Sequence, residues 1–573
     1  MTTAYEAPLG DFQVQFEHIV PAITGRTAPM GFSDVLEGFG NVCAQAIAPL
    51  NAIGDTEGCR WEAGRVITPS GFPDAFSLMR EGGWLDLDGV PAMIEFCIDE
   101  MLAAANFAFS NYVGPTKRVA QLIEISGLNS APQILADLRT GLATGALCLT
   151  EAQCGSDLGL INTRASVDPV SGCMEVFGEK IFVTSGAHDL CSAAHYLVLA
   201  RPPRAPSGVR GLTLYLVSSS FGADAANRNS VSCVGIEHKL GLHGSATCTL
   251  RFEGANAWQI GEIGEGLRHL FPVMERERLV AALQAVGVSE RALQAARAYA
   301  HTRLQGRSIG GVGEQRAVAD PIIDHPDVRR MVLTMRAYTE GLRTLLLWVA
   351  SEMDNKDPGA VDFVRLMTPL LKGFASDIAS EVTGLAIQVL GGHGYIHGNG
   401  VEQYYRDARV ISLHGGANGI QALDLLVRKI GGSDGEILEH FISRAEAALG
   451  RMANSGFQTD SFGLIIDALV RLRAITGEIL KDARSDPHLL PACSYNYLLL
   501  LGHVALGFAW VTTASVAKFE LARDSQGPLA SVLRAKLNTA TFHMAHLFPH
   551  TDRLFSSILS GAVGIADYCE AGS

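Results

Sequence analysis

Two carboxylates separated by one arginine, in Phe271-Pro272-Val273-Met274-Glu275-Arg276-Glu277-Arg278-Leu279-Val280, have types and spacing suited to proton chemistry. A helix-borne carboxylate can take a proton from carbon if nearby donors stabilise the charge left behind. The same pattern also suits the solvated first turn of a helix, where acids favour the positive end of the dipole and Pro272 would open the helix. Glu275 and Arg278, three residues apart, can act together on one face. A second stretch, His414-Gly415-Gly416-Ala417-Asn418, has no carboxylate and offers only backbone donors at its glycines. Arg303, in Ala298-Tyr299-Ala300-His301-Thr302-Arg303-Leu304-Gln305, carries a planar fork that meets phosphate oxygens at two points. Gly391-Gly392 would let a backbone approach a diphosphate, although Gly-Gly-x-Gly equally ends a helix. His393 and His397 have i,i+4 spacing but no third ligand, so no metal site is expected.

These groups need a large scaffold. The chain has 573 residues, 48% hydrophobic and 18% charged, enough for three or four cores at about 150 residues each. A formal net charge of −14 argues against nucleic-acid binding. Eleven cysteines without paired CxxC spacing suit a reducing, cytoplasmic setting, and the first residues show no basic leader with an apolar core. Tyr497–Ala517 lacks Asp, Glu, Lys and Arg but holds His503, Thr512, Thr513 and Ser515. It reads as a buried bundle helix, with no stable membrane insertion expected. Periodicity is helical to about Leu147, then short β-rich runs separated by Gly, Pro, Ser and Asn continue to Ile263. Helical periodicity returns after that. The expected fold class is α+β, mostly α. Its expected parts are an N-terminal helical domain (1–147), a middle antiparallel β-domain (148–263), a second helical bundle (264–432) and a C-terminal helical domain (433–573).

Several segments, in order, resemble the acyl-CoA dehydrogenase family. Leu147-Cys148-Leu149-Thr150-Glu151-Ala152-Gln153-Cys154-Gly155-Ser156-Asp157 resembles the loop that holds the flavin pyrimidine and the thioester, which implicates Leu149, Thr150 and Ser156. Gly178-Glu179-Lys180-Ile181-Phe182-Val183-Thr184 resembles the strand beside the isoalloxazine. Phe182 and Thr184, two apart on a strand, would share one face toward it. Lys239–Thr247 resembles the loop around CoA and flavin, and contains Ser245. Arg303 and Gln305 match positions that cross a dimer interface to the FAD pyrophosphate, with Gln388, Gly391 and Gly392 as their counterpart. The match covers almost the whole chain, and the long C-terminal part is similar to a bacterial subgroup.

Most members read Tyr-Glu-Gly-Thr where this chain reads His414-Gly415-Gly416-Ala417, and that Glu is the family's base. Isovaleryl-CoA and long-chain acyl-CoA dehydrogenases instead place it just before an Arg, in Glu-Arg-Leu, as Glu277-Arg278-Leu279 stands here. The resemblance therefore implies Glu277 as base, with Glu275 in reserve, and the Gly415 N–H as donor to the thioester oxygen. Glu275, Arg278, Ser245 and His414 would contact substrate, and Ala417 lacks a flavin-binding Thr hydroxyl. The expected reaction is FAD-dependent α,β-dehydrogenation of an acyl-CoA to a 2-enoyl-CoA, with a branched, cyclic or bulky acyl group fitting the space freed at Gly415. Electrons would pass to an electron-transfer flavoprotein, and the protein would be a homodimer or a dimer of dimers. A flavin-dependent oxidase, a desulfinase-like elimination enzyme and a non-catalytic flavin- or acyl-CoA-binding homologue remain alternatives.

Overall fold

The structure, a computed structural model, describes residues 4–128, 132–220, 228–309, 318–454, 456, 459–565 and 568. The chain divides into two compact units. One comprises Val42–Gly89 and Ala105–Val280; the other comprises Met1–Asn41, Val90–Ala104 and Ala281–Ser573.

The first unit is built on a sheet. Its strands are β3 (Ala143–Cys148), β4 (Arg164–Val167), β5 (Met174–Thr184), β6 (Ala193–Ala200), β7 (Thr213–Ser218), β8 (Val231–Ile236) and β9 (Thr247–Ile260), preceded in the chain by a hairpin of β1 (Arg60–Glu62) and β2 (Arg65–Ile67). The sheet runs β3-β6-β7-β9-β5-β4, with β8 also on β9. The 14-residue β9 acts as a spine. β5 covers one edge over Thr247–Ala257, while β8 and then β7 share the other.

Two features depart from the expected antiparallel domain. β3 pairs parallel with β6, and β3 itself lies in a run read as the end of a helical region. Its Ala and Gly residues are weak strand formers and give little β signal. They serve close packing instead: a Cβ at Gly145 would lie 2.6 Å from the Val119 side chain of the helix Phe107–Ser126. The β1–β2 turn, Ala63-Gly64, has positive φ at both residues, which suits a two-residue hairpin without the usual Asn-Gly signature.

The second unit is helical. It holds the long helices Pro326–Met353 and Pro358–Leu390, most of Gly266–Thr302, and the C-terminal helices Glu436–Asn454, Phe462–Asp482, Leu489–Arg523, Ala530–Phe542 and His550–Leu559. Trp348 packs against Phe363, Phe441 and Phe508, so one aromatic cluster joins the second bundle to the C-terminal helices. Leu489–Arg523 is long and apolar enough to cross a bilayer by length and composition, but 89% of its most apolar stretch is buried against its neighbours. Gly341 lets it approach, since a Cβ there would lie 2.4 Å from Leu506. A buried ion cluster sits in the same unit. Arg343 donates to Asp11, Glu100 and Glu290, and Lys536 reaches Asp11 and Glu340.

The architecture is mostly helical α+β: an N-terminal helical part, a central sheet, a second bundle and an additional C-terminal helical part. Pro272 corrects one local expectation. The helix begins at Gly266, so Pro272 lies inside it, and Glu275 and Glu277 stand beyond the first turn. The dipole explanation for those acids is thereby removed, because that effect fades within one turn.

Candidate active site

Within the sheet unit, the loop after β3 is tied to β5 by a buried ion pair. Lys180 Nζ lies 2.8 Å from Glu151 Oε1, with the two side chains 0% and 5% exposed, and also donates to the Leu149 carbonyl. Glu151 further accepts the backbone N–H groups of Asn162 and Thr163. Burial would raise the Glu151 pKa, but Lys180 and these hydrogen bonds outweigh it and hold it at about 2. Desolvation draws Lys180 below its usual range. Ile181 N–H donates to the Thr150 carbonyl, so Leu149 and Thr150 are fixed beside the middle of β5.

A bulge follows in β5, between Lys180 and Val183. Phe182 there has φ 55° and is 58% exposed, whereas Val183 is buried and Thr184 half-buried. A bulky residue in the left-handed region is strained by about 1–3 kcal/mol, and here the strain presents an aromatic ring outward. That exposed ring, with the nearby Thr150 and Thr184, fits a flat heteroaromatic cofactor. Ser156 is exposed in the adjoining loop. Ser245 is buried; its Oγ accepts from the Asn111 amide, and Tyr112 O–H donates to the Gly244 carbonyl, so this loop is held from within.

Glu277, at 22% exposed, lies 4.0 Å from the guanidinium of Arg118, which is 3% exposed. Glu275 is half-buried and Arg278 buried on the same stretch of helix. Arg118 was not anticipated, although Lys117-Arg118 is a conspicuous basic pair in the helix Phe107–Ser126.

Within the helical unit, Gly415 and Gly416 adopt φ of 63° and 92°. Both carbonyls turn inward to the Gln421 amide, and Gly416 O also accepts from Lys372 Nζ at 2.7 Å. The N–H groups of Gly415, Gly416 and Ala417 donate to no acceptor among the described residues. Successive free N–H groups of this kind suit a developing oxyanion. His414 beside them is neutral: burial, with the Lys372 charge adding, lowers its pKa to about 4. Its Nδ1 is buried without a hydrogen-bond partner among the described residues. Lys372, fully buried in an apolar run, is a second group sequence reasoning missed.

Arg303 and Gln305 are exposed, with Arg303 donating to Gln305 Oε1. Gln388, Gly391 and Gly392 are exposed on a neighbouring segment, which Tyr299 joins to the Gly391–Tyr395 turn through His393 at 3.3 Å. Cβ atoms at Gly391 and Gly392 would meet nothing within 4 Å, so both backbones are open to a diphosphate. These residues fit FAD, Ala417 supplying one hydroxyl fewer than the family's usual Thr. No metal-competent cluster of three or more ligating side chains occurs among the described residues.

The acyl-CoA dehydrogenase middle-domain family matches residues 146–255 and the C-terminal-domain family residues 264–430. The family described as acetyl-CoA dehydrogenase C-terminal like matches residues 439–568. The chain is 36% identical over 566 residues to the 3-methylmercaptopropionyl-CoA dehydrogenase of Ruegeria pomeroyi, covering 94% of this chain and 95% of that protein. It is 31% identical to a broad-specificity linear acyl-CoA dehydrogenase of Mycobacterium tuberculosis, over 84% of each. Its fold is similar to Caenorhabditis elegans ACDH-11 in complex with C11-CoA, with TM-score 0.79 at 19% identity over 97% of this chain and 95% of that one. It is also similar to an acyl-CoA dehydrogenase complexed with FAD from Bacillus anthracis, with TM-score 0.72 at 18% identity over 96% and 92%. The chain belongs to the acyl-CoA dehydrogenase family of FAD-dependent oxidoreductases, in the form that carries an additional C-terminal helical domain.

Proposed function

We propose that the acyl-CoA dehydrogenation is carried by Glu277 as base, with the Gly415 N–H donating to the thioester oxygen. The observation that carries this assignment is a turn, Gly415–Ala417, that offers three N–H donors with no acceptor among the described residues, and no carboxylate. A donor there stabilises the charge developing on the thioester oxygen and so acidifies the α-carbon. Glu277, on a rigid helix beside a buried cation, then removes the α-proton. FAD, when bound, supplies the two-electron acceptor for the β-hydride. Phe182, Thr184, Leu149, Thr150 and Ser156 would orient it. Arg303, Gln305, Gln388, Gly391 and Gly392 would hold its diphosphate across a homo-oligomer interface. Exposed Leu304, Tyr395 and Ile396 beside those residues support a second copy covering them.

Open space at the Gly415 Cβ position supports an acyl group that is branched, cyclic or otherwise bulky near Cβ. An electron-transfer flavoprotein is the proposed acceptor, and ten free cysteines among the described residues suit the proposed cytoplasmic setting. Anaerobic titration of the flavin-loaded protein with linear, branched, cyclic and 3-methylthiopropionyl-CoA tests the reading. Bleaching of flavin absorbance by one class supports dehydrogenation and names that class. Binding of all without bleaching by any overturns it.

A further inference from the structure

We infer that Cys233 and Cys248 form a redox-responsive dithiol, which hydrogen peroxide closes into a disulfide across the base of the loop that carries Ser245. Both lie in the sheet unit, on the antiparallel neighbours β8 and β9, and that loop is the connection between them. Cys233 stands opposite Leu250, which shares one face of β9 with Cys248 two residues away. The two thiols are therefore diagonal neighbours on one side of the sheet. A bulge between Cys233 and Gly235 breaks the register along this diagonal. Cys233 Sγ also turns along its strand toward the Cys248 end, where it donates to the Gly235 carbonyl at 3.4 Å. The two thiols are within hydrogen-bond reach of each other.

Their surroundings separate their roles. Cys233 keeps 8% exposure, whereas Cys248 is fully buried. The Cys248 thiol, donating to the Cys233 sulfur, draws Cys233 below its usual range; the same bond and burial push Cys248 well above it. Cys233 is thus the thiolate that attacks the peroxide: an S–O bond forms, the O–O bond breaks and hydroxide leaves. The Cys248 sulfur then attacks the sulfenic acid, an S–S bond forms, and water leaves with the proton from Cys248. Two thiols are oxidised and one peroxide is reduced to two waters. The competing thiol is Cys59, whose sulfur lies 3.3 Å from Tyr112 Oη. The disulfide would lock a loop already closed by the Glu237 N–H to Thr247 bond and tied to β5 by Ser185 N–H to Ala246. Cys248 itself pairs with Val183, between Phe182 and Thr184. An effect on acyl-CoA rests on the proposed place of this loop in the substrate site; the disulfide itself does not.

The test treats the flavin-loaded full chain with hydrogen peroxide, alkylates the remaining thiols and maps the peptides by mass spectrometry, before and after dithiothreitol. The expected result is a linked pair of peptides carrying Cys233 and Cys248, with joint loss of both alkylated thiols and full recovery on reduction. Linkage of Cys248 to Cys59, sulfinic acid on Cys233 without linkage, or both thiols still alkylated overturns the inference. The linked form should also show a shifted half-saturation for the acyl-CoA that bleaches the flavin, restored by dithiothreitol and absent in C233A. If C233A does not fold, the wild-type peptide map decides alone. Linkage with unchanged half-saturation supports the dithiol and removes this loop from the substrate site, so the two readings fail separately.

Discussion

Replacing Glu151 by Gln would leave the Lys180 ammonium buried without its counter-charge. The amide oxygen can still accept the Thr163 N–H, but an amide nitrogen would stand where Oε2 accepts from Asn162, so the change removes that one hydrogen bond together with the ion pair. Breaking a buried pair from one side costs about 3–5 kcal/mol, because the remaining charge is desolvated and uncompensated. At roughly 2–4 °C per kcal/mol for a unit of this size, the transition should fall by about 6–20 °C. Flavin fluorescence during heating is the suitable assay, since the loop of Leu149 and Thr150 is anchored by the same pair. K180M should cost a similar amount, and the double variant much less than the sum, with a coupling of about 2–3 kcal/mol. The pair also sets an acid limit. Glu151 is held at about 2 against an ordinary 4.5, so its contribution is full above 4.5 and is lost as pH falls toward 2. Single variants within about 1 kcal/mol of wild type, adding without coupling, would refute the view that this pair organises the loop.

A Cβ at position 415 would meet no atom within 4 Å, but φ 63° makes a side chain there strained by about 1–2 kcal/mol. G415E should therefore fold slightly less stably, and G415E combined with E277Q should recover flavin reduction lost in E277Q alone. A folded, flavin-loaded double variant with no recovery would contradict the relocation of the base. The Arg343 cluster gives a pH prediction of opposite sign to that of Glu151. Burial raises Glu100 from 4.5 to about 7 despite Arg343, so its contribution is present below 4.5 and is lost as pH rises through 7. Thermal midpoints of the wild type should fall between slightly acid and slightly alkaline buffer, and E100Q, fixed in the neutral form, should flatten that slope; an unchanged slope in E100Q would refute the assignment.

Helical and strand periodicities located the bundles and most of the sheet because those segments bury one face at a regular spacing. The Leu489–Arg523 helix was legible for the same reason: scattered polar residues in an apolar run suit a protein core better than lipid. What stayed hidden was structure set by partners distant in sequence. β3 is a strand because small residues let it slide beneath Val119, a contact no local propensity encodes. The hairpin at Ala63-Gly64 depends on backbone angles that its residue types only weakly advertise. Phe182 was legible as a wall residue from its motif, but the bulge that turns it outward comes from a register shift against β9. Glu277 and Gly415 drew attention because each departs from a motif. Arg118 and Lys372 depart from none, and only burial next to the site marks them.

The most direct test of the base assignment is single-turnover flavin bleaching by E277Q and E275Q with the acyl-CoA that bleaches the wild type. Loss of a positioned general base costs about 10²–10⁴-fold, so E277Q should fall by that much while still binding acyl-CoA, and E275Q should keep most of the rate. Bleaching by E277Q at a near wild-type rate would contradict the account, and loss confined to E275Q would move the base to that residue.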